Sequence, residues 1–344
     1  MKNNPLHYGR NFLRLFMSLL SLSVIGIAHA RYPGELVKGA QNGTPVVANR
    51  SDCNPGKSRY DMQLNNVRAT LLSSGDVWWD LTNAGYIVPK VQPGTGAKAV
   101  SSIFAGAVWL GGKDPSGNLK VACQTYRTGN PPATDFWPGP LNENGQTNKA
   151  TCDNWDRHFV VKRTDIDSCI RLFYAAKLRD PNNPVVDASL IPESVKGWPA
   201  NGNPYFLEIY RFTLPRTKAG LGKFHDEDGD LNYDPTKGDY PTIDIKGCNI
   251  DVFPDEMVFW IYNDNGNVHT NSLKSLAIQM EVQVQAFSYQ TNDELNDMTF
   301  QRYKLINRAK TNIDSMYFAM WADMDLGCDQ DDFLGCDKIG RAHV

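Results

Sequence analysis

The sequence lacks the short motifs by which several large enzyme classes are recognised. It contains no Gly-x-Ser-x-Gly nucleophile elbow, no His-Glu-x-x-His or His-x-His metal pair and no Gly-rich phosphate loop. It also contains no Cys-x-x-Cys, so its cysteine spacing matches no zinc template. Histidine is scarce: between residues 31 and 337 only His158, His225 and His269 occur. These absences weaken the case for a serine hydrolase, a zinc or copper enzyme, or a nucleotide-binding enzyme.

No segment approaches the ~20 consecutive apolar residues that a membrane-spanning helix needs. The most apolar stretch, Leu15–Ile27, has 13 residues and follows the basic residues Lys2, Arg10 and Arg14. Ala28-His29-Ala30 then places small residues at both key cleavage positions. We therefore predict that residues 1–30 are a secretory signal peptide cleaved after Ala30. The alternative, an uncleaved membrane anchor, is disfavoured by the short apolar run.

Removal of residues 1–30 leaves 32 basic and 38 acidic residues, a net charge of −6. An acidic surface argues against nucleic acid and anionic membranes as partners. The hydrophobic content of 41% is enough for a substantial core, in one large β domain or two smaller ones. We predict a secreted or outer-surface location.

All the cysteines follow the predicted signal peptide: Cys53, Cys123, Cys152, Cys169, Cys248, Cys328 and Cys336. An exported chain permits disulfides, and the odd number leaves one thiol unpaired or its partner missing. We predict that Cys328 and Cys336 either pair with each other or lack a native partner in this chain.

The C-terminal residues are similar to translated adaptor DNA. Ile339–Val344 is the translation of ATC GGA AGA GCA CAC GTC. In the adaptor, the bases AG come directly before this string. The codon AAG ends in those two bases and encodes Lys338. We expect residues 338–344 to be a translated sequencing adaptor, with genuine sequence ending at Asp337 and the natural gene running on. This segment is therefore excluded from the fold argument.

Short apolar runs separated by Gly, Pro, Asn and Asp predict a mainly β fold with long loops and few short helices. The predicted strands are Val67–Leu72, Ser102–Leu110, Leu119–Tyr126, Glu256–Asn263, Leu276–Tyr289, Met298–Asn307 and Ser315–Trp321. From 278 to 286 the even positions are apolar, whereas Gln279, Glu281, Gln283 and Gln285 are polar. This alternation predicts that the last three strands are antiparallel neighbours with one wet face, in a β-sandwich-like domain.

The strongest helix pattern is Thr164–Lys177, with Asp165 and Asp167 in its first turn and Leu172, Ala175 and Ala176 on one side. We divide the rest of the mature chain by composition. Residues 31–60 are predicted to be a flexible leader and 61–215 an N-terminal β-rich region. Residues 216–337 are predicted to hold an acidic loop and a β-sandwich region.

That acidic loop places oxygen side chains at every second position: Asp226, Asp228, Asp230, Asn232 and Asp234. Such spacing is typical of a loop that wraps Ca²⁺. The loop departs from an EF-hand, because the glycine is Gly229 and the twelfth position is Lys237. We predict a structural Ca²⁺ site in which Asp239 supplies a further carboxylate. The alternative is a solvated acidic turn.

Two weaker sets of residues also suggest binding. Asp323, Asp325, Asp331 and Asp332 form a second candidate Ca²⁺ site, or else a solvated acidic loop. Trp78, Trp79 and Trp137 lie beside carboxylates and are a candidate ligand surface for sugar rings, or else core residues.

Several blocks resemble a family of secreted Bacteroidetes proteins that leave the cell through the type IX secretion system and end in a type A sorting domain. The blocks are Asn65–Ala69, Gly75–Leu81, Phe104–Gly112, Asp135–Leu141, Gly238–Pro241, Pro254–Met257, Asn292–Glu294 and Asp323–Asp337. The resemblance implies export through that machinery by a sorting domain that this sequence lacks. It also implies O-glycosylation at Ser315, in Asp314-Ser315-Met316.

Two kinds of function follow from these observations. The first is a secreted or cell-surface structural or binding module, adhesin-like, with calcium-stabilised loops and no catalytic residues. The second is a calcium-stabilised protein that binds or hydrolyses glycans. The second requires exposed aromatic rings and, for hydrolysis, two facing carboxylates. Surface glycans and other envelope proteins are the expected partners.

Overall fold

The computed structural model describes residues 51–91, 96, 99–243, 253–272 and 274–325. Strand makes up 31% of it and helix 15%, which confirms the prediction of a mainly β fold with few helices. The predicted signal peptide, the adaptor segment, Asp331, Asp332 and the predicted pair Cys328 and Cys336 lie outside the described residues. Among the described residues, none of the helices combines the length and hydropathy that crossing a membrane requires.

The described strands are β1 (Arg59–Met62), β2 (Arg68–Leu72), β3 (Asp76–Val77), β4 (Tyr86–Ile87), β5 (Ser101–Lys113), β6 (Leu119–Ala122), β7 (Trp137–Pro138), β8 (Phe159–Lys162), β9 (Phe224–His225), β10 (Tyr240–Pro241), β11 (Glu256–Asn263), β12 (Met280–Ser288), β13 (Phe300–Asn307) and β14 (Asp314–Met324). The α-helices are α1 (Lys149–Trp155), α2 (Arg163–Arg179), α3 (Glu193–Lys196) and α4 (Phe206–Tyr210). Two short 3-10 helices, Pro235–Lys237 and Glu294–Asp297, complete the elements.

The strands form two antiparallel sheets and a small hairpin. The first sheet has the order β1-β2-β3-β5-β14, with β4 beside β2 and β5, and β6 beside β5. The second sheet has the order β13-β12-β11, and both β7 and β8 pair with β11. The hairpin of β9 and β10 carries the acidic loop between its strands.

The sandwich core lies between the two sheets. Val108 and Leu110 of β5 contribute from the first sheet, and Val258, Trp260 and Tyr262 of β11 contribute from the second. The strictly alternating positions of β12 between Met280 and Ala286 join the same cluster. This alternation is the pattern that the sequence predicts for the apolar face of β12, and the structure confirms it.

A third layer covers the other face of the second sheet. It consists of α2, α3, α4 and the long loops around them, and its core includes Met257, Phe259 and Ile261 of β11. The predicted helix is confirmed as α2, but its buried residues are Ile166, Cys169, Phe173 and Ala176. The predicted face is therefore only partly right: Ala176 is buried and Leu172 packs against the core, but Ala175 is exposed.

Because of this third layer, the predicted wet face of β12 is wrong. Glu281, Gln283 and Gln285 are only 0%, 2% and 3% exposed. Gln283 Nε2 donates to the carbonyl of Gly220 at 2.9 Å, and Gln285 Nε2 donates to that of Thr242 at 3.1 Å. The polar side chains satisfy backbone groups of the covering loops instead of water.

The prediction that the last three strands are antiparallel neighbours is also only partly right. β12 and β13 pair over eight positions, but β14 leaves the second sheet and pairs with β5 of the first. Strands from both predicted regions, 61–215 and 216–337, therefore share each sheet, and the described residues lie within one compact unit, 48–344.

The described end of the predicted flexible leader is anchored. Cys53 is buried and forms a disulfide with Cys152 of α1. Asp156, after α1, accepts hydrogen bonds from the backbone N–H groups of Lys57 and Ser58 at 2.9–3.0 Å. Residues 51–60 are thus part of the fold, which corrects the prediction for this end of the leader.

Candidate metal centre and exposed aromatic surface

The acidic loop closes the hairpin of β9 and β10. His225 pairs with Tyr240, and their rings stack with centroids 4.5 Å apart. Leu231 and Gly229 have φ values of 64° and 75°. Glycine adopts this left-handed region without strain, so Gly229 lets the chain reverse between two aspartates.

Three carboxylates of the loop converge. Oxygen atoms of Asp226, Asp228 and Asp230 lie within 4.8 Å of one another. Backbone N–H groups hold them in place: Asp226 accepts from Gly229 at 2.8 Å and from Leu231 at 2.9 Å. Each ionised carboxylate has about four acceptor positions, so these bonds leave oxygen lone pairs free for a cation.

The loop already has one counter-charge. Lys237 Nζ lies 3.3 Å from Asp228 Oδ2 and 3.7 Å from Asp230 Oδ2. The hydrogen bond to Asp228 raises the pKa of the Lys237 ammonium. One ammonium cannot neutralise three converging carboxylates, so the cluster keeps a net negative charge.

The other predicted ligands have different contacts. Asp234 Oδ1 accepts from the backbone N–H and the hydroxyl of Thr236, and so caps the 3-10 turn Pro235–Lys237. The Asn232 side-chain amide donates to the carbonyl of Asp230 at 3.0 Å. Of the five predicted aspartate ligands, Asp226, Asp228 and Asp230 converge, whereas Asp234 and Asp239 are not part of that group.

Asp239 is a buried anchor of the loop. Its two carboxylate oxygens accept from the N–H groups of Glu227 at 2.9 Å and Asp234 at 2.8 Å. Burial, with the negative charges of Asp226 and Asp228 nearby, raises the pKa of the Asp239 carboxyl to about 6. The residue ties the start of the loop to its end, so it positions the converging carboxylates without joining them.

The second predicted Ca²⁺ site is only half within the described residues. Asp323 Oδ2 accepts from the Tyr126 hydroxyl at 2.7 Å, and the Asp325 N–H donates to Ser102 O at 3.2 Å. The predicted glycosylation residue, Ser315, is exposed at an irregular point of β14, so a modifying enzyme could reach it.

The predicted ligand-surface tryptophans lie in the interior. Trp79 and Trp137 are 3% and 2% exposed, and neither indole can offer a face to a ligand. Trp78 is partly buried against the sandwich core, where its ring lies against Gly106 and makes an edge contact with Tyr86. The alternative, that these rings are core residues, fits their burial.

A different set of aromatic rings lies on the outer face of the first sheet, where Tyr126 and Tyr317 are 41% and 65% exposed and Trp109 and Trp321 are partly buried. We call Trp109, Trp321, Tyr126 and Tyr317 the aromatic face. The Trp109 and Trp321 indoles are parallel to within 8°, with centroids 5.9 Å apart, and Tyr126 contacts Trp321 edge-on at 5.2 Å. Trp109 Nε1 donates to Gln124 O at 2.7 Å, which fixes that ring.

The aromatic face is not among the predicted sites, although the sequence carries a signal for it. Trp109 alternates with Ala105 and Ala107 on β5, and Ala107 faces Trp321 across the strand pair. Small residues beside large rings on one face leave space for the two indoles to stack on each other. Recognising this requires the pairing of β5 with β14, which are about two hundred residues apart in the sequence.

One described constellation contains the residue types of a nucleophilic triad. Ser58 Oγ lies 3.1 Å from His158 Nδ1, and Asp156 is close by in sequence. However, Asp156 bonds the N–H of Ser58 and the Ser73 hydroxyl rather than the imidazole. Burial lowers the pKa of His158 to about 4, and its Nε2 has no partner. The geometry does not match a triad, in which the carboxylate orients the histidine.

A scan against protein-family models and searches of curated proteins and of solved structures found no match to this chain.

Proposed function

We propose that this chain is a secreted or cell-surface binding module, adhesin-like, whose acidic loop is stabilised by Ca²⁺. The observation that carries the proposal is the convergence of the Asp226, Asp228 and Asp230 carboxylates on a backbone that holds them in place. Hard oxygen donors at alternate loop positions are the donor set that Ca²⁺ prefers. The resemblance to type IX secreted proteins supports the same location and a sorting domain in the natural protein.

The disulfide between Cys53 and Cys152 supports an oxidising compartment. The predicted signal peptide agrees with that compartment, where Ca²⁺ is available at concentrations that fill even weak sites. The ion would be held by Asp226, Asp228 and Asp230, with Asp239 fixing the loop around them. Its contribution would be to offset the mutual repulsion of the carboxylates more fully than Lys237 does.

The test is thermal unfolding of the purified chain with Ca²⁺ and with a chelator. We expect wild type to lose stability on chelation, by about 2.7 kcal/mol when Ca²⁺ had been a hundredfold above its Kd. Asp228→Ala should lose less, because one ligand is already gone. Asp180→Ala is the matched control, since Asp180 is also an exposed aspartate that accepts loop N–H bonds, from Asn182 and Asn183.

Lys237→Met sharpens the test. Removing the ammonium leaves the carboxylates without their counter-charge, so this variant should be less stable than wild type in chelator and gain more from Ca²⁺. Equal melting temperatures of wild type in both buffers would contradict the calcium proposal, and the acidic loop would then be a turn stabilised by Lys237.

Glycan binding is the second candidate function, and the aromatic face favours it. Flat aromatic surfaces stack on the apolar faces of sugar rings, and their polar rims donate and accept hydrogen bonds. Here the rim includes the Tyr126 hydroxyl and the Asp323 carboxylate, which bond each other at 2.7 Å. Hydrolysis would require a second carboxylate facing the first, so binding is the activity proposed for this surface.

Affinity electrophoresis in gels containing soluble β-glucan, xylan or galactomannan tests this candidate. We expect at least one polysaccharide to retard wild type, and Trp109→Ala and Trp321→Ala to abolish the retardation. Tyr174→Ala removes an exposed ring from α2 and should behave like wild type. Equal mobility of all four proteins in every gel would contradict a glycan-binding role for the aromatic face.

A further inference from the structure

A groove follows residues 216–223 where the third layer covers the second sheet. It consists of two adjoining cavities of about 960 Å³ and 450 Å³. Asn201, Thr217 and Lys218 line both cavities, which makes the groove continuous. It begins beside α4 and ends at Asp226 of the acidic loop. We call it the basic groove.

Hydrogen bonds fix the backbone of this segment over the second sheet. Gln283 Nε2 donates to the carbonyl of Gly220 at 2.9 Å, and Arg308 Nη2 donates to the Thr217 hydroxyl at 2.7 Å. The N–H of Gly220 donates to the carbonyl of Thr217 at 3.1 Å, which closes a turn. This wall of the groove is therefore ordered before a ligand arrives, which lowers the entropic cost of binding.

Three cations of the basic groove have no counter-charge. Arg216, Lys218 and Lys223 are exposed and form no ion pair with a described residue. Glu143, an acidic residue of the lining, is instead paired with Arg308 at 3.3 Å. The other acidic residue of the lining belongs to the acidic loop at the far end. The middle of the groove is therefore positively charged, although the chain after residue 30 has a net charge of −6.

This distribution of charge favours an extended anionic ligand. A cleft lined by positive charge concentrates anions, while the acidic remainder of the protein repels them from other surfaces. Each cavity alone has the volume of a small-molecule site, so the two together accommodate a ligand of several units.

The groove also offers acceptors for hydroxyl groups. Gln283 Nε2 gives its hydrogens to Gly220 O and to Glu281 Oε1, so the group left for a ligand is the amide oxygen. Asn201 Nδ2 donates to Leu231 O at 3.2 Å, which leaves its Oδ1 as an acceptor. Cations and hydroxyl acceptors side by side match a polymer that carries both anionic groups and hydroxyls.

The aromatic rings of the lining are not available for stacking. Phe206 and Phe259 are 1% and 2% exposed, and Phe224 packs edge-on against Tyr233 with centroids 5.3 Å apart. Single-stranded nucleic acids bind largely by stacking their bases on exposed rings. The described lining therefore favours an acidic sugar polymer over a nucleic acid.

We propose that the basic groove binds an acidic polysaccharide. Arg216, Lys218 and Lys223 pair with its carboxylate or sulfate groups, and Gln283 and Asn201 accept from its hydroxyls. Charge-assisted hydrogen bonds are the strong polar contacts, and a guanidinium can bond one carboxylate through two N–H groups. This site goes beyond the function proposed above, because it uses neither the cation of the acidic loop nor the aromatic face.

Fluorescence anisotropy of labelled oligosaccharides tests the site, in a buffer with chelator so that Ca²⁺ plays no part. We expect oligogalacturonate or a heparin oligosaccharide to bind wild type and a neutral dextran oligosaccharide not to bind. The two acidic probes distinguish carboxylate from sulfate recognition. The triple variant Arg216→Gln/Lys218→Gln/Lys223→Gln should bind at least tenfold more weakly. It should keep the wild-type urea midpoint, because all three side chains are exposed.

A second triple variant controls for the charge of the whole chain. Lys113→Gln/Lys162→Gln/Arg179→Gln removes the same charge from exposed positions outside the groove, so it should bind as wild type does. The double variant Trp109→Ala/Trp321→Ala should also keep wild-type affinity, because its substitutions lie on the first sheet.

Four results would overturn the proposal. The first is that neither acidic oligosaccharide binds. The second is equal weakening in the two triple variants, which would make net charge the cause. The third is loss of binding in the tryptophan variant, which would place the ligand on the aromatic face. The fourth is equal affinity for single-stranded DNA, which would make the groove a general polyanion surface. The calcium proposal is measured by melting temperature, so it stands or falls separately.

Discussion

His158 shows how burial sets the protonation of a single residue. Its ring packs between Trp260 and Tyr60, with centroids 5.4 Å and 6.3 Å away. Nδ1 is bonded to Ser58, but Nε2 is buried without a partner, so a proton there would have no acceptor. This burial is the reason that the pKa of His158 falls to about 4.

We expect the lowered pKa of His158 to make folding sensitive to acid. The unfolded histidine has a pKa near 6.5, so between pH 6.5 and about 4 the unfolded state binds a proton that the folded state does not. The contribution of neutral His158 to the free energy of unfolding is therefore fully present above pH 6.5. It is lost as the pH falls toward 4, and the loss is roughly 3 kcal/mol for this group. Urea unfolding at pH 7.5, 6 and 4.5 measures the loss.

The variant His158→Phe isolates this effect from other acidic groups. It keeps an aromatic ring against Trp260 but does not titrate, so its stability should fall less than that of wild type between pH 7.5 and 4.5. Ser58→Ala removes the same hydrogen bond and keeps the histidine, so it should retain the wild-type slope. Parallel pH curves for wild type and His158→Phe would show that the histidine is not the source.

Single residues also mark the limit of what the sequence predicts for the site. The spacing of Asp226, Asp228 and Asp230 predicts their convergence, because it depends only on a local turn. The position of Asp239 as a buried anchor depends on how β10 meets β9, which the loop spacing does not contain. The burial of Trp79 and Trp137 also depends on contacts between distant elements. Aromatic pairs in the sequence therefore do not show whether these rings are buried or exposed.

At the scale of elements, the disulfide joins the N-terminal segment to α1 across a sequence separation of 99 residues. Neither cysteine lies in a motif, so the sequence alone leaves the pairing open among many combinations. The fold brings them together because Cys53 and Cys152 share a small buried cluster with Trp137. A bridge over so long a loop restricts the unfolded chain strongly.

We expect the double variant Cys53→Ala/Cys152→Ala to lose stability. In the chain-entropy treatment, closing a loop of about 100 residues is worth at most about 4.7 kcal/mol, so the loss should approach several kcal/mol. Urea unfolding with and without reductant provides the measurement. Reductant should bring wild type down to the level of the double variant and leave the variant unchanged. A wild type that is insensitive to full reduction would contradict a stabilising role for the bridge.

The sequence predicts where individual strands lie, but it does not predict which strands and loops pack against them. The alternation from 278 to 286 identifies β12 and its core face because period two is a local property of a strand. The same alternation suggests water on the other face, but Gln283 and Gln285 bond the carbonyls of covering loops. The alternation of residues shows which side chains are polar. It does not show whether those side chains bond to water or to backbone groups.

At the scale of the whole molecule, each sheet draws its strands from both halves of the chain. β5 pairs with β14, and β11 pairs with β7 and β8. The predicted boundary between 215 and 216 separates the acidic loop and the last strands from what precedes them, but it says nothing about which strands pair. Loss of either half would leave both sheets with unpaired edges and an open core.

We therefore expect neither residues 31–215 nor residues 216–337 to fold when expressed alone. Each fragment would expose one face of the sandwich core, and its strands would lack the partners that satisfy their backbone groups. Circular dichroism and urea titration should show no β spectrum and no cooperative transition for either fragment. The intact chain carrying a protease site between Pro215 and Arg216 is the control, and it should stay folded after cleavage because the two sheets hold the halves together. A cooperative transition for residues 31–215 alone would show that the N-terminal half is an independent domain, and the interleaving of the sheets would then add stability without being required for folding.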